Sequence, residues 1–197
     1  MDVLDIHNKE IKEVVWIHKS AFKGFFLTEL GDGFLSLYYK SVLNHKDGIL
    51  LGCFDKYKLI GFCSGSLNCS GFNTKIIKEN LLDFCLIGLK LLFTRPKALL
   101  RLRRNLEKED SNHDDGNYAE LASIGVDLNF QGKGVGGMLL NAIENYCREK
   151  GCRILTLTTD YNENDEVVKF YQRNGYKIWY DFVTYPNRRM YKLRKEL

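Results

Sequence analysis

Between Leu121 and Gly137 the sequence passes from an apolar run, Leu121-Ala122-Ser123-Ile124-Gly125-Val126, through Gln131-Gly132-Lys133-Gly134-Val135-Gly136-Gly137 into a helical pattern. A strand that turns through glycines into a helix constrains the fold more than any other segment, because it sets a helix N-terminus across the end of a strand. The first turn of a helix leaves backbone N–H groups unpaired, and the peptide dipoles add partial positive charge there. Glycines let the backbone approach a bulky anion and adopt conformations that a Cβ would block. A pyrophosphate is the natural ligand of such a turn. A Walker P-loop is excluded, because Lys133 is not followed by Ser or Thr. Gly132, Gly134 and Gly137 fit the G-x-G-x-x-G spacing, but that motif arrives late in the chain and beyond the end of the strand. Asp160 ends the next strand about 23 residues later, so the spacing objection to a dinucleotide fingerprint is only partial.

Around this segment the periodicities alternate. Val3 to Ile6 reads as a strand, and Asn8 as the cap of a helix through Ile11, Val14, Val15 and Ile17. A second helix is expected from Thr28 to Leu43. Ile49 to Phe54 and Lys58 to Leu67 read as strands joined by a turn at Asp55-Lys56-Tyr57. From Thr74 to Leu106 the pattern is helical with a break at Arg95-Pro96, and Glu107 to Asn117 reads as a solvated loop. Leu121 to Val126 is a strand, Gly136 to Lys150 a helix stopped by Gly151, and Arg153 to Thr159 a strand. Asn164 caps a further helix ending at Gly175, and Lys177 to Val183 pairs with Arg188 to Leu193. This order predicts a single mixed α/β domain over residues 1–197, with helices on both faces of a twisted sheet.

Composition excludes several classes. With 45% hydrophobic and 27% charged residues the chain reads as globular, and its net charge of +4 is modest for a nucleic-acid binder. The acidic start, Met1-Asp2-Val3-Leu4-Asp5, lacks a basic signal-peptide region, so a cytoplasmic location is expected. The six cysteines form no C-x-x-C pair and no His lies at zinc spacing, so no metal site is expected.

Gln131-Gly132-Lys133-Gly134-Val135-Gly136 resembles the Q/R-x-x-G-x-G/A signature of the GNAT N-acetyltransferase superfamily. Ile124-Gly125-Val126-Asp127 resembles that family's preceding strand, and Leu139-Leu140 continues its helix. Downstream, Asn164-x-x-Val167-x-x-Phe170-Tyr171-x-x-x-Gly175-Tyr176 resembles the N-x-x-A-x-x-L-Y-x-x-x-G-F pattern in register, with Val167 and Tyr176 as conservative departures. The resemblance runs from about Glu120 to the C-terminus, extends to residues 1–68, and fails across 69–117. It implies a mostly antiparallel sheet of six or seven strands, with a helical insertion before the cofactor-binding strand. It also implies acetyl-CoA as cosubstrate and transfer of its acetyl group to a primary amine.

The resemblance then assigns roles. Ile124, Gly125 and Val126 would pair with the pantetheine arm as an added strand, and amides from Gln131, Gly132, Lys133, Gly134, Val135, Gly136 and Gly137 would hold the pyrophosphate. Asn164 would bond the pantetheine region. Tyr171 would protonate the departing thiolate, and Glu120, at the start of the strand, is a candidate base. Read from spacing alone, Tyr171 beside Phe170 equally suits a core aromatic, Asn164 an N-cap and Glu120 a solvated strand end. Asp127 reads as a turn former.

Residues 75–108 carry nine basic and three acidic side chains among many leucines. A lid or wall over the acceptor site, a homodimer interface, a peripheral contact with an anionic membrane and additional core all suit such a segment. Basic residues on a lid would favour a phosphorylated acceptor. Phe22-Lys23-Gly24-Phe25-Phe26-Leu27-Thr28-Glu29-Leu30-Gly31 looks like GNAT proteins encoded with surface-polysaccharide enzymes, which implies an amino-sugar nucleotide as acceptor. A protein or peptide amine and a non-catalytic acyl-CoA-binding module remain the alternatives.

Overall fold

The structure, a computed structural model, describes residues 1–98, 100 and 116–197. Its strands are β1 (Asp2–Asp5), β2 (Gly48–Asp55), β3 (Lys58–Ser66), β4 (Ala119–Val126), β5 (Ile154–Asp160), β6 (Lys177–Thr184) and β7 (Arg188–Glu196). Its helices are α1 (Ile11–Ala21), α2 (Phe26–Glu29), α3 (Asp32–Asn44), α4 (Phe72–Glu79), α5 (Leu81–Thr94), α6 (Val135–Glu149) and α7 (Asp165–Arg173). The sheet order is β1-β2-β3-β4-β5-β7-β6, and every neighbouring pair is antiparallel except β4 with β5.

Apolar residues cover both faces. On β2, Ile49, Leu51 and Cys53 face α6, whereas Leu50 joins α1 and α3, as the two-residue strand period requires. On α6, Val135, Leu139, Leu140, Ile143 and Cys147 are buried against the sheet. On the opposite face α1 contributes Ile11, Val14, Val15 and Ile17, and α3 contributes Phe34, Leu35, Tyr39 and Val42. All six cysteines are free thiols.

Three local expectations are corrected. The helix expected over 28–43 is divided, because Gly31 takes φ 86 between α2 and α3. The helical insertion breaks at Asn80 as well as at Arg95-Pro96. Asn8 opens a short 3-10 turn rather than capping a helix, with the His7 N–H donating to Glu10 Oε2 at 2.9 Å. The expected helix through Leu106 and nearly all of the expected loop from Glu107 to Asn117 lie outside the described residues.

Two bulges decide which way side chains face. Cys53 pairs with Gly61 but Phe54 with Leu59, leaving Ile60 as the extra residue on β3. Ser64 pairs with Ser123 but Gly65 with Leu121, leaving Ala122 as the extra residue on β4. Each bulge shifts the alternation by one. Leu121 therefore packs on the same side as Ile124 and Val126.

Candidate active site

The Ala122 bulge coincides with the end of the parallel pairing. β4 and β5 are joined only through Ala119↔Leu155, Glu120↔Thr156 and Leu121↔Leu157, although β4 continues to Val126 and β5 to Asp160. Past Leu121 the two strands diverge, and a cleft of about 850 Å³ opens between them. One wall is Ser123, Ile124, Gly125 and Val126, and the other is Thr158, Thr159 and Asp160. The β4 edge that faces this gap has no strand beside it, so its backbone groups can accept an extended ligand in place of one.

The glycine turn closes one end. Gly132 has φ 73 and Gly134 φ 80, the left-handed region that favours glycine. A Cβ built on Gly132, Gly134 or Gly137 would meet no protein atom within 4 Å, so the turn borders open space. The Met138 N–H bonds back to the Gly134 carbonyl at 3.1 Å, while the amides from Gln131 to Gly137 donate to no other backbone carbonyl among the described residues. The turn is braced by Asp127, fully buried, which accepts from the Asn129 N–H (3.0 Å), its side-chain amide (3.1 Å) and the Lys58 ammonium (3.2 Å). Burial alone would raise the Asp127 carboxyl, but those donors outweigh it and hold it below its ordinary value. Asp127 is thus a turn former.

Tyr171, on the buried side of α7, lines the cleft with its ring edge-on to Phe170 (5.2 Å) and Tyr176 (5.7 Å). Burial, and next the nearby Cys63 thiol, push its phenol well above the ordinary range, so it stays protonated at neutral pH. Asn164 also lines the cleft, but it does not cap α7 with its side chain. Its amide instead donates to Thr159 Oγ1 (2.7 Å) and the Asp160 carbonyl (3.0 Å), closing the turn between β5 and α7.

The side chains of two expected site residues, Lys133 and Glu120, lie outside the cleft lining. The Lys133 ammonium lies 4.8 Å from the Phe130 ring centre, and its side chain is not part of the cleft lining. Glu120 lies in the paired part of β4, outside the lining, and accepts from the buried Lys192 ammonium at 2.6 Å. Parallel pairing with Thr156 holds it in the part of β4 that lies before the strands diverge.

The far end includes Phe22, Phe25 and Leu27 of the aromatic stretch noted in the sequence, together with His18, Ala21, Arg188 and Met190, which local pattern did not single out. His18 and Ala21 come from α1, Phe22 and Phe25 from the link to α2, Leu27 from α2, and Arg188 and Met190 from β7. The Arg188 guanidinium is paired with both Asp160 oxygens and lies 4.4 Å from the Phe25 ring centre. Asp160 and Arg188 are 28 positions apart, so nothing local announces the pair. His18 Nδ1 bonds the Tyr39 hydroxyl at 2.7 Å. Burial lowers His18 to a pKa of about 4, and its Nε2 has no partner. Its one sequence signal is its place on the apolar stripe of α1. No described residue of the insertion lines the cleft, so a phosphate-reading lid finds no support there.

The sequence profile of the acetyltransferase (GNAT) family matches residues 11–176. The chain belongs to this family. An uncharacterized N-acetyltransferase of Methanocaldococcus jannaschii is 36% identical over 67 residues, which cover 34% of this chain and 29% of that protein. The chain thus aligns with under a third of the relative's length. Among solved structures, the ribosomal-protein-S18-alanine N-acetyltransferase of Escherichia coli superposes with TM-score 0.64 at 10% identity, covering 99% of this chain and 92% of that one. The PaiA N-acetyltransferase of Thermoplasma acidophilum, in complex with coenzyme A, gives TM-score 0.57 at 16% identity, covering 100% and 98%.

The GNAT chain's own residues fit acetyl-CoA. The open β4 edge suits the amide-bearing pantetheine arm, and the unpartnered amides beside the bare glycines suit the pyrophosphate. Among the described residues no cluster of three or more His, Cys, Asp or Glu is placed to hold a metal ion.

Proposed function

We propose that the enzyme transfers acetyl from acetyl-CoA to a primary amine by direct attack in a ternary complex assembled in the β4–β5 cleft. The single observation that carries this reading is that the open β4 edge, the glycine turn and the buried Tyr171 phenol line one cleft. Ile124, Gly125 and Val126 hold the pantetheine arm, and the amides from Gln131 to Gly137 hold the pyrophosphate. Asn164, whose NH2 is committed to the β5–α7 turn, offers its free carbonyl oxygen to the arm. When bound, acetyl-CoA supplies the acetyl group as a thioester.

Tyr171 donates its phenolic proton to the departing sulfur. A group that stays protonated at neutral pH is suited to that task. The acceptor amine must arrive neutral, and it gives up its proton to water, since Glu120 is engaged by Lys192. A backbone N–H of the open β4 edge is placed to receive the developing oxyanion.

Phe22, Phe25 and Leu27 form an apolar acceptor end, and the one arginine of the lining is neutralised by Asp160. This lining favours an amino sugar, whose C–H face stacks on aromatic rings, and it offers no free cation for a nucleotide's phosphates. A peptide α-amine is the second reading, favoured by the similarity to the ribosomal-protein-S18-alanine enzyme over nearly the whole chain. The test is release of the coenzyme A thiol from acetyl-CoA with amino sugars, nucleotide-linked amino sugars and short peptides as acceptors. Turnover on amino sugars is expected. Turnover on peptides alone would replace the acceptor assignment, and failure of the folded protein to bind acetyl-CoA would overturn the whole reading.

A further inference from the structure

Helix α5 presents a face that acetyl transfer does not use. It buries Phe84 and Leu91 against α3, where the Phe84 ring meets Phe34 edge-on at 5.6 Å. On the other side Leu82, Leu86, Leu89 and Phe93 follow at spacings of four, three and four residues, so they form one stripe along the helix. Leu82 is 82% and Phe93 83% exposed, which means these side chains stand almost clear of the protein. The stripe is a convex ridge rather than a groove. Its 14 residues make a helix about 21 Å long. No described helix is long and apolar enough to cross a membrane.

The surroundings of the ridge are basic. Lys90 is exposed one turn beyond Leu86, on the border of the stripe, and exposed Lys78 and Lys97 stand before and after the helix. Of the two acids in α4 and α5, Glu79 faces His45 at 3.5 Å, which leaves Asp83 on the border. Across 75–108 the sequence carries nine basic and three acidic residues, while the whole chain has a net charge of only +4. The positive charge is therefore concentrated on the segment that bears the ridge.

We propose that the α5 ridge docks flat on an anionic lipid surface, with its leucines and Phe93 in the acyl boundary and its lysines among the headgroups. Protruding leucines need a soft partner that closes around them, and a lipid interface is one. A second copy placed ridge to ridge would bring two basic flanks together, at a cost that an anionic surface reverses. The ridge is also coupled to the acceptor end. Arg95, immediately after α5, donates to the Glu29 carbonyl at the end of α2, and Leu27 of that helix lines the cleft. The proposal does not depend on acetyl transfer.

Co-sedimentation of the full chain with vesicles tests it. Wild type is expected to pellet with phosphatidylcholine vesicles containing phosphatidylglycerol, less at high salt, and weakly with phosphatidylcholine alone. The Leu86→Glu/Phe93→Glu variant changes exposed side chains only, and circular dichroism checks that it stays folded. Its apparent affinity is expected to fall about ten-fold or more, and that of Lys90→Glu to fall by less. Wild type remaining in the supernatant, or the double variant pelleting equally, would overturn the proposal. A dimer by light scattering that the double variant dissociates, with no vesicle binding, would assign the ridge to a second copy and overturn it as well.

Discussion

Tyr171 and His18 illustrate how one environment, burial beside the cleft, acts oppositely on two groups. Burial opposes the charged form of each, so it raises the phenol and lowers the imidazole. For Tyr171 the consequence is a proton retained through the working pH range. Tyr171→Phe keeps the ring packed and removes the donor, so kcat should fall about 100-fold or more while acetyl-CoA Kd stays unchanged, as steady-state rates and calorimetry would show. The wild-type rate should show no alkaline fall from this group below about pH 10. For His18 the consequence is a link between pH and stability. The unfolded imidazole takes a proton near pH 6.5, whereas the folded one takes it only near 4. Its contribution is therefore complete above pH 6.5 and is lost as pH falls toward 4. Between pH 7 and 5 wild type should lose about 2 kcal/mol from this group, and His18→Gln should lose that much less in urea titrations at the two pH values.

At the scale of elements, the glycine turn into α6 was legible because its chemistry is local. Gly132 and Gly134 take the positive φ that such a turn demands, in the order the sequence gives them. Gly134→Ala places a Cβ at φ 80, where no protein atom lies within 4 Å, so it should cost about 1 kcal/mol of strain without repacking. Gly134→Asp adds a negative charge beside the amides proposed to hold the pyrophosphate, and acetyl-CoA Kd should rise at least ~10-fold by calorimetry while the far-ultraviolet spectrum is retained. Gly31 was not legible in the same way. Its neighbours fit one continuous helical pattern, and only its φ of 86 in the folded chain, beside the Arg95 guanidinium, shows that the helix is divided there. Asn164 precedes α7 as a cap would, but its amide is directed back to Thr159 and Asp160 at the end of β5, five and four residues earlier, rather than to the first turn of the helix.

At the scale of the whole molecule, the cleft is a gap in a sheet, and a ligand that fills it joins two halves of the fold. Acetyl-CoA at about 100 times its Kd should stabilise the native state by about 2.7 kcal/mol. Differential scanning fluorimetry should then show Tm rising by about 5–10 °C, and Gly134→Asp should show little rise at the same concentration. Strand and helix periods and the glycine turn were in the sequence, because each depends on neighbours within a few turns of chain. They pointed to a mixed sheet flanked by helices and to a glycine turn opening α6, while Tyr171 was marked only by the family resemblance of the motif around it. The tertiary structure alone decided where β4 leaves β5, because the Ala122 bulge appears only when Ser64 and Gly65 are paired with their partners. It also decided that Glu120 meets Lys192, that Asp160 meets Arg188 and that His18 meets Tyr39. These contacts join residues 21 to 72 positions apart, and no local preference of the chain records distances of that kind.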